Sequence, residues 1–174
     1  MKFDKAFRKA TDPQTSAEVL AELAKESDWR IKYVVAENPR TPTDVLGGLA
    51  IDDNKEVRFA VGSNQKTSAE TLMNLSKDRH ARLAVARNTA TPIGILCSLA
   101  IVRNEEVRIG VAENISTPIP TLLELATDKN NEVREAIASN PMTPLRKVWE
   151  LRGDECSFVE HAAKTSYRRR VKMR

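Results

Sequence analysis

Aromatic side chains are scarce in this chain, at 5% of 174 residues, which excludes the Tyr- and Phe-rich strands of an ordinary β-sandwich. Cysteine is nearly absent too. Cys97 and Cys156 have no partner at metal-ligand spacing, so neither a disulfide framework nor a zinc site is expected, and a reduced, cytoplasmic setting follows as the default. With His80 and His161 as the only histidines, no grouping of histidine, acid and nucleophile emerges; no enzyme activity, catalytic residue, cofactor or metal is expected. No apolar run approaches the roughly 18 residues of a membrane helix, and the N-terminal stretch MKFDKAFRKATD lacks a signal-peptide core.

What is present is Leu, Val, Ile and Ala in a chain that is 41% hydrophobic and 30% charged, enough for one domain with a real core. The pattern repeats. Thr15, Thr41, Thr67, Thr91, Thr117 and Thr143 open six units of 24 to 26 residues. Pro or Ser follows each Thr, then apolar residues at five and eight positions on, as in Leu46 and Leu49 or Leu122 and Leu125. Thr as N-cap with Pro at the first helical position predicts a helix start, and Glu18, Asp44 and Glu70 extend it to a capping box in three units. The second half of each unit ends on Asn38, Asn64, Asn88, Asn114 or Asn140, with Ser166 in the last copy. Asn there predicts a left-handed terminator of a second short helix.

Two short helices cannot bury their apolar faces alone, so neighbouring units are expected to stack into an all-α solenoid of about six repeats over residues 1–166. Residues 1–14 read as a half-repeat cap, with Phe3, Phe7 and Ala10 on one stripe. The third unit is two residues short between Leu75 and Ala81, in the loop between its helices. Residues 167–174 read as a basic, solvated tail. Its five cations, subtracted from the net charge of +4, leave the rest at −1, so the basic balance describes the tail more than the repeats.

The N-P-x-T-P-x-x-x-L-x-x-L-A and D-x-x-V-R-x-x-V-A signatures, clearest in the units opening at Thr41, Thr91 and Thr117, resemble the leucine-rich repeat variant family over roughly residues 12–166. The DDNKEVRFA segment is also similar to HEAT repeats. The resemblance implies alternating α- and three-ten helices in a right-handed superhelix without strands. Some members of that family carry an N-terminal cysteine cluster for iron and sulfur; this chain has no such cysteines, so no cluster is carried over. Departures from the pattern at Glu160 and Ser166 mark the last unit as a capping repeat.

One column invites a functional reading: Lys32, Arg58, Arg82, Arg108 and Arg134 place a cation at the same phase of five consecutive units. Either each pairs with an acid of its own or the neighbouring interhelix loop, such as Asp52, Asp53, Glu56, Asp78, Glu106, Asp128 or Glu132, or the row faces solvent as a basic stripe. The leading expectation is a non-catalytic scaffold that binds another macromolecule, a protein first of all, on one face of the superhelix. The alternative is nucleic-acid binding through this column and through Arg168, Arg169 and Arg170 of the tail. An enzymatic reading has only Trp29, Trp149 and scattered acids to lean on.

Overall fold

The Leu pairs of the repeat each fall in a short helix, and the Val/Ala runs that follow form a second one. The structure, a computed structural model, describes residues 2–172, and these fall into two compact bodies divided after Thr91. The N-terminal body holds α1 (Lys2–Thr11), α2 (Ala17–Leu23), α3 (Trp29–Glu37), α4 (Thr43–Leu49), α5 (Lys55–Ser63), α6 (Ala69–Leu75) and α7 (Arg82–Arg87). The C-terminal body holds α8 (Ile93–Leu99), α9 (Glu105–Glu113), α10 (Ile119–Leu125), α11 (Asn131–Ser139), α12 (Leu145–Glu150), a three-ten turn at Leu151–Gly153, and α13 (Ser157–Lys172). No strand occurs among the described residues. The fold is an all-helical repeat, with both helices of every repeat α-helical. Three-ten character is confined to the Leu151–Gly153 turn and to closing bonds such as Asp52 N–H to the Leu49 carbonyl, 3.1 Å.

Packing follows the columns. Leu20, Leu46, Leu72, Leu96, Leu122 and Val148 are fully buried. Each such side chain removed from water contributes roughly 1.5–3 kcal/mol. In the N-terminal body α1, α3, α5 and α7 pack side by side in that order, and in the C-terminal body α9, α11 and α13 do the same. Gly62 on α5 lets α7 approach closely, since a Cβ there would stand 3.0 Å from the Ala84 Cβ.

The caps differ from the sequence expectation. The N-cap is the residue after each Thr. Ser16 and Ser68 accept from the N–H groups of Val19 and Thr71, while Pro42, Pro92, Pro118 and Pro144 hold the N-cap position without a side-chain bond. Thr is a donor instead. Its hydroxyl reaches the carbonyl six residues back, as from Thr67 to Val61 at 2.5 Å and Thr117 to Val111 at 2.6 Å, and so satisfies an orphan acceptor near the end of the preceding helix. The second helices carry caps of their own that the sequence reading missed: Asp28, Asn54, Asn104 and Asn130 accept from N–H groups of their first turns. In the third repeat the deletion removes that cap and shortens the second helix to six residues.

The last repeat departs furthest. Ser166 stands where the Asn column would end a helix, and α13 runs on through it to Lys172, 16 residues in all. The expected solvated tail is therefore helical as far as Lys172. Tyr167 lies 5.1 Å from Trp149, the Arg152 guanidinium sits 3.8 Å over Trp149, and Arg170 Nη1 donates to the Thr143 carbonyl at 2.7 Å. Met173 and Arg174 lie outside the described residues.

Candidate functional site: the Asn and Arg columns

Asn is an extended residue in this fold. Asn38, Asn64, Asn88, Asn114 and Asn140 have φ between −65° and −73°, and no residue with positive φ occurs among the described residues, so the left-handed terminator is corrected. The side chain does a different job. Asn64 Nδ2 donates to the carbonyls of Ala36 at 2.7 Å and Asn38 at 3.1 Å, 28 and 26 residues back, while its Oδ1 accepts from the Lys66 N–H at 2.9 Å. Asn38, Asn88 and Asn140 make the same pair of reaches to the repeat before. A buried amide thus joins two repeats through backbone atoms alone.

The cation column lies at the other end of the second helices, beside the interhelix loops. Lys32 Nζ meets Asp52 at 2.7 Å, Arg58 Nε meets Asp78 at 2.6 Å, Arg108 Nε meets Asp128 at 2.6 Å, and Arg134 Nε meets Asp154 at 2.8 Å. Each Asp stands 20 residues on, in the loop of the next repeat. Arg108 and Arg134 grip their carboxylates with two N–H groups, the second contacts being 3.0 and 2.9 Å. The other edge of the guanidinium holds carbonyls of its own loop, as Arg108 Nη1 does with Val102 and Arg103, both at 2.9 Å. The Arg108–Asp128 side chains are 7% and 9% exposed, against 25% and 11% for Lys32–Asp52. Arg82 differs and makes no ion pair among the described residues; its Nε and Nη2 donate to the carbonyls of Ser76 and Lys77.

These contacts set the charge of the acids. At Asp52, Asp78 and Asp128 burial pushes the carboxyl upward, but the facing cation and the N–H two residues on outweigh it, and the net shift is downward. At Asp154 the Arg134 hydrogen bond dominates and the shift is again downward. A carboxyl held below its unfolded value stabilises the fold above that value, and the contribution is lost as pH falls toward the folded one. Thermal melts should therefore be flat above about pH 5 and fall progressively below about pH 4. Asp128→Asn should flatten part of that fall; an equally steep fall in the variant would remove the column as its cause.

Elsewhere the sequence-selected groups stay apart. Arg168 and Arg169 are exposed on the last turns of α13. His80 is exposed and accepts from Arg79 Nε at 2.9 Å; His161 is exposed on α13. Cys97 and Cys156 are free thiols, and Asn131 Nδ2 donates to Cys156, pulling that thiol below its ordinary value together with N–H groups of α13. Among the described residues no cluster of His, Cys, Asp and Glu could hold a metal ion, and no helix is long and apolar enough to cross a membrane. A shallow cleft of about 520 Å³ in the C-terminal body is lined by Glu113, Glu132 and Glu135 over Ile109, Ala136 and Pro141.

Two-helix repeats joined by buried Asn amides and by cation–Asp pairs define a helical repeat protein, a fold that suggests a scaffold for binding. No protein-family model and no curated protein matches the chain. Solved structures similar to it include the following two. One is a leucine-rich repeat variant with a novel repetitive protein structural motif, 23% identical over 94% of this chain and 81% of that one, with a TM-score of 0.39. The other is an engineered protein, 17% identical over 95% of this chain and 88% of that one, with a TM-score of 0.36. At those scores the likenesses add nothing to what the helices and their ties already define.

Proposed function

We propose that the chain is a non-catalytic scaffold whose partner is a protein, docked on the first-helix surface of the C-terminal body. The observation that carries this reading is a group of large apolar side chains left in water. Ile93, Ile101 and Ile119 are 58%, 82% and 49% exposed. Ile93 and Cys97 lie four apart on one face of α8, with Ile101 in the turn beyond; Ile119 and Leu123 repeat that placement on α10. Cys97 Sγ is 3.3 Å from Thr121 Oγ1, which sets the two helices side by side. In the N-terminal body the positions of Ile93 and Cys97 hold Ala17, Ala21, Thr43, Gly47, Ala69 and Met73, and only the position of Ile101 has an isoleucine there too, Ile51, 84% exposed. Contiguous apolar surface of this kind marks a protein interface more often than idle surface.

Changing Ile93 and Ile119 together to Glu should abolish recovery of the wild-type chain's crosslinked partner while shifting stability by no more than about 0.5 kcal/mol. Equal recovery by the variant would remove the face from consideration. Turnover by the purified chain, lost on a single polar substitution, would overturn the scaffold reading itself.

A second reading, contact with nucleic acid, is favoured by the exposed Arg168, Arg169 and Lys172 at the end of α13. The cation column lends it little, because four of its five members already meet carboxylates and the cleft beside α11 is acidic. Duplex binding at low salt that weakens steeply with added salt, and is lost when Arg168 and Arg169 become Ala, would favour this reading.

A further inference from the structure

The last repeat carries a cation that no acid answers. Arg152 stands where the other repeats have Ala24, Ala50, Ser76, Ala100 and Ala126, and its guanidinium carbon lies 3.8 Å over the Trp149 ring and 5.2 Å from the centre of the Tyr167 ring. The two rings are themselves 5.1 Å apart. Among the described residues nothing accepts a hydrogen bond from that guanidinium, and its N–H groups reach water. The acids of the repeat are engaged elsewhere: Glu150 meets Arg146 and Lys147, Asp154 and Glu155 meet Arg134, and Glu160 meets Lys164. Trp149 is 52% exposed, and on α12 it takes the repeat position that Cys97 takes on α8 and Leu123 on α10, as Leu145 does that of Ile93 and Ile119. The aromatic seat of Arg152 thus continues the apolar columns into a third repeat.

We propose that Arg152 binds the carboxylate of an Asp or Glu side chain in the protein partner, so that the partner's docking segment is an acid set among apolar residues. The inference rests on the docking face proposed above and names the charge that its partner brings. Contact with the two rings uses the plane of the guanidinium and leaves the N–H edge open, the edge that a carboxylate engages with two parallel bonds. Arg108 and Arg134 make that pairing inside the chain, at 2.6 to 3.0 Å. The rings also hold the group in one place, so less freedom is lost when the acid arrives. A residue that only covered apolar surface at the end of the stack would need no charge here.

The test is a selection of displayed random dodecapeptides on the full chain, with a counter-selection on the Ile93→Glu, Ile119→Glu variant that keeps only peptides bound to the apolar face. Selected peptides are expected to carry Asp or Glu beside Leu, Ile or Phe. Synthetic copies are then titrated into the Trp29→Phe chain, in which Trp149 is the one remaining tryptophan and reports on the site by fluorescence. Replacing the acid by its amide should weaken binding about tenfold, since hydrogen bonds to charged groups are the stronger kind. In Arg152→Gln the acid and amide peptides should bind alike, and Arg152→Lys, with the charge but not the fork, should restore only part of the preference. Face-binding peptides without acids, or an acid preference that survives Arg152→Gln, overturn this inference and leave the docking face standing. If no peptide survives the counter-selection, both fall. A single-stranded oligonucleotide that binds at Trp149 more tightly than the acidic peptides, and is lost in Arg152→Gln, would assign the site to nucleic acid instead.

Discussion

Asp128→Ala should lower folding stability by roughly 3–5 kcal/mol, because it leaves a guanidinium in the interior without its counter-charge. Arg108 is 6% exposed as a residue, and its Nε and Nη2 lose both acceptors at once. The contacts of Nη1 with the Val102 and Arg103 carbonyls fix the group in place, so it cannot swing into water to recover hydration. Asp52→Ala provides the internal comparison. Lys32 is a point charge, its side chain is 25% exposed, and the loss there should be about 1 kcal/mol. Denaturant melts of the two variants test the contrast. Equal losses would mean that burial does not set the worth of these pairs. Removing both partners together, as in Arg108→Met with Asp128→Leu, should recover most of the loss, since the cost lies in the orphaned charge.

Asn64→Ala should cost roughly 1–3 kcal/mol, by taking a donor from each of two buried carbonyls, the second of which keeps the Thr41 N–H at 3.1 Å, and the acceptor from one N–H. The carbonyls are those of Ala36 and Asn38, and the N–H is that of Lys66. Asn64→Asp is the sharper probe. It keeps the shape and the acceptor for Lys66, but it sets a carboxylate oxygen against two carbonyls where an N–H₂ group stood. It should be at least as unstable as the alanine variant. Wild-type stability in Asn64→Asp would mean that the amide's donors contribute nothing to joining the repeats.

The helices were legible in the sequence because their evidence is local. A Leu pair three apart after Thr-Pro, or a Val-Ala run before Asn, is a burial pattern, and burial is what the structure shows at Leu46, Leu72, Val61 and Val85. The roles of the polar columns were not legible in the same way. A constant Asn says that one geometry recurs, but its acceptors lie 26 and 28 residues back, beyond any spacing rule for a single helix. Thr and Pro side by side matched an ordinary helix start, and only the distance from Thr67 Oγ1 to the Val61 carbonyl shows that the hydroxyl serves the helix before. For the cations, the sequence offered several acids per loop; the column chooses Asp52 over Asp53 because only the former stands 20 residues on from Lys32. The helical course of Tyr167 to Lys172 was hidden by its charge, since the apolar contact that holds it, Tyr167 on Trp149, joins residues that no periodicity relates.

The Asn amides have a consequence for how such a chain can change over generations. Asn64 grips the carbonyls of Ala36 and Asn38, and Asn88 those of Gly62 and Asn64, so the grip reads backbone rather than any particular side chain. The copies ahead of Asn38, Asn64, Asn88 and Asn140 therefore offer the same handholds, whatever residues they display outward. Copies that keep the Asn, and the cation and Asp that pair across the seam, can be duplicated, deleted or exchanged, while positions such as Ile93 or Ala17 drift independently. Each tile joined in this way is free to acquire its own outer surface.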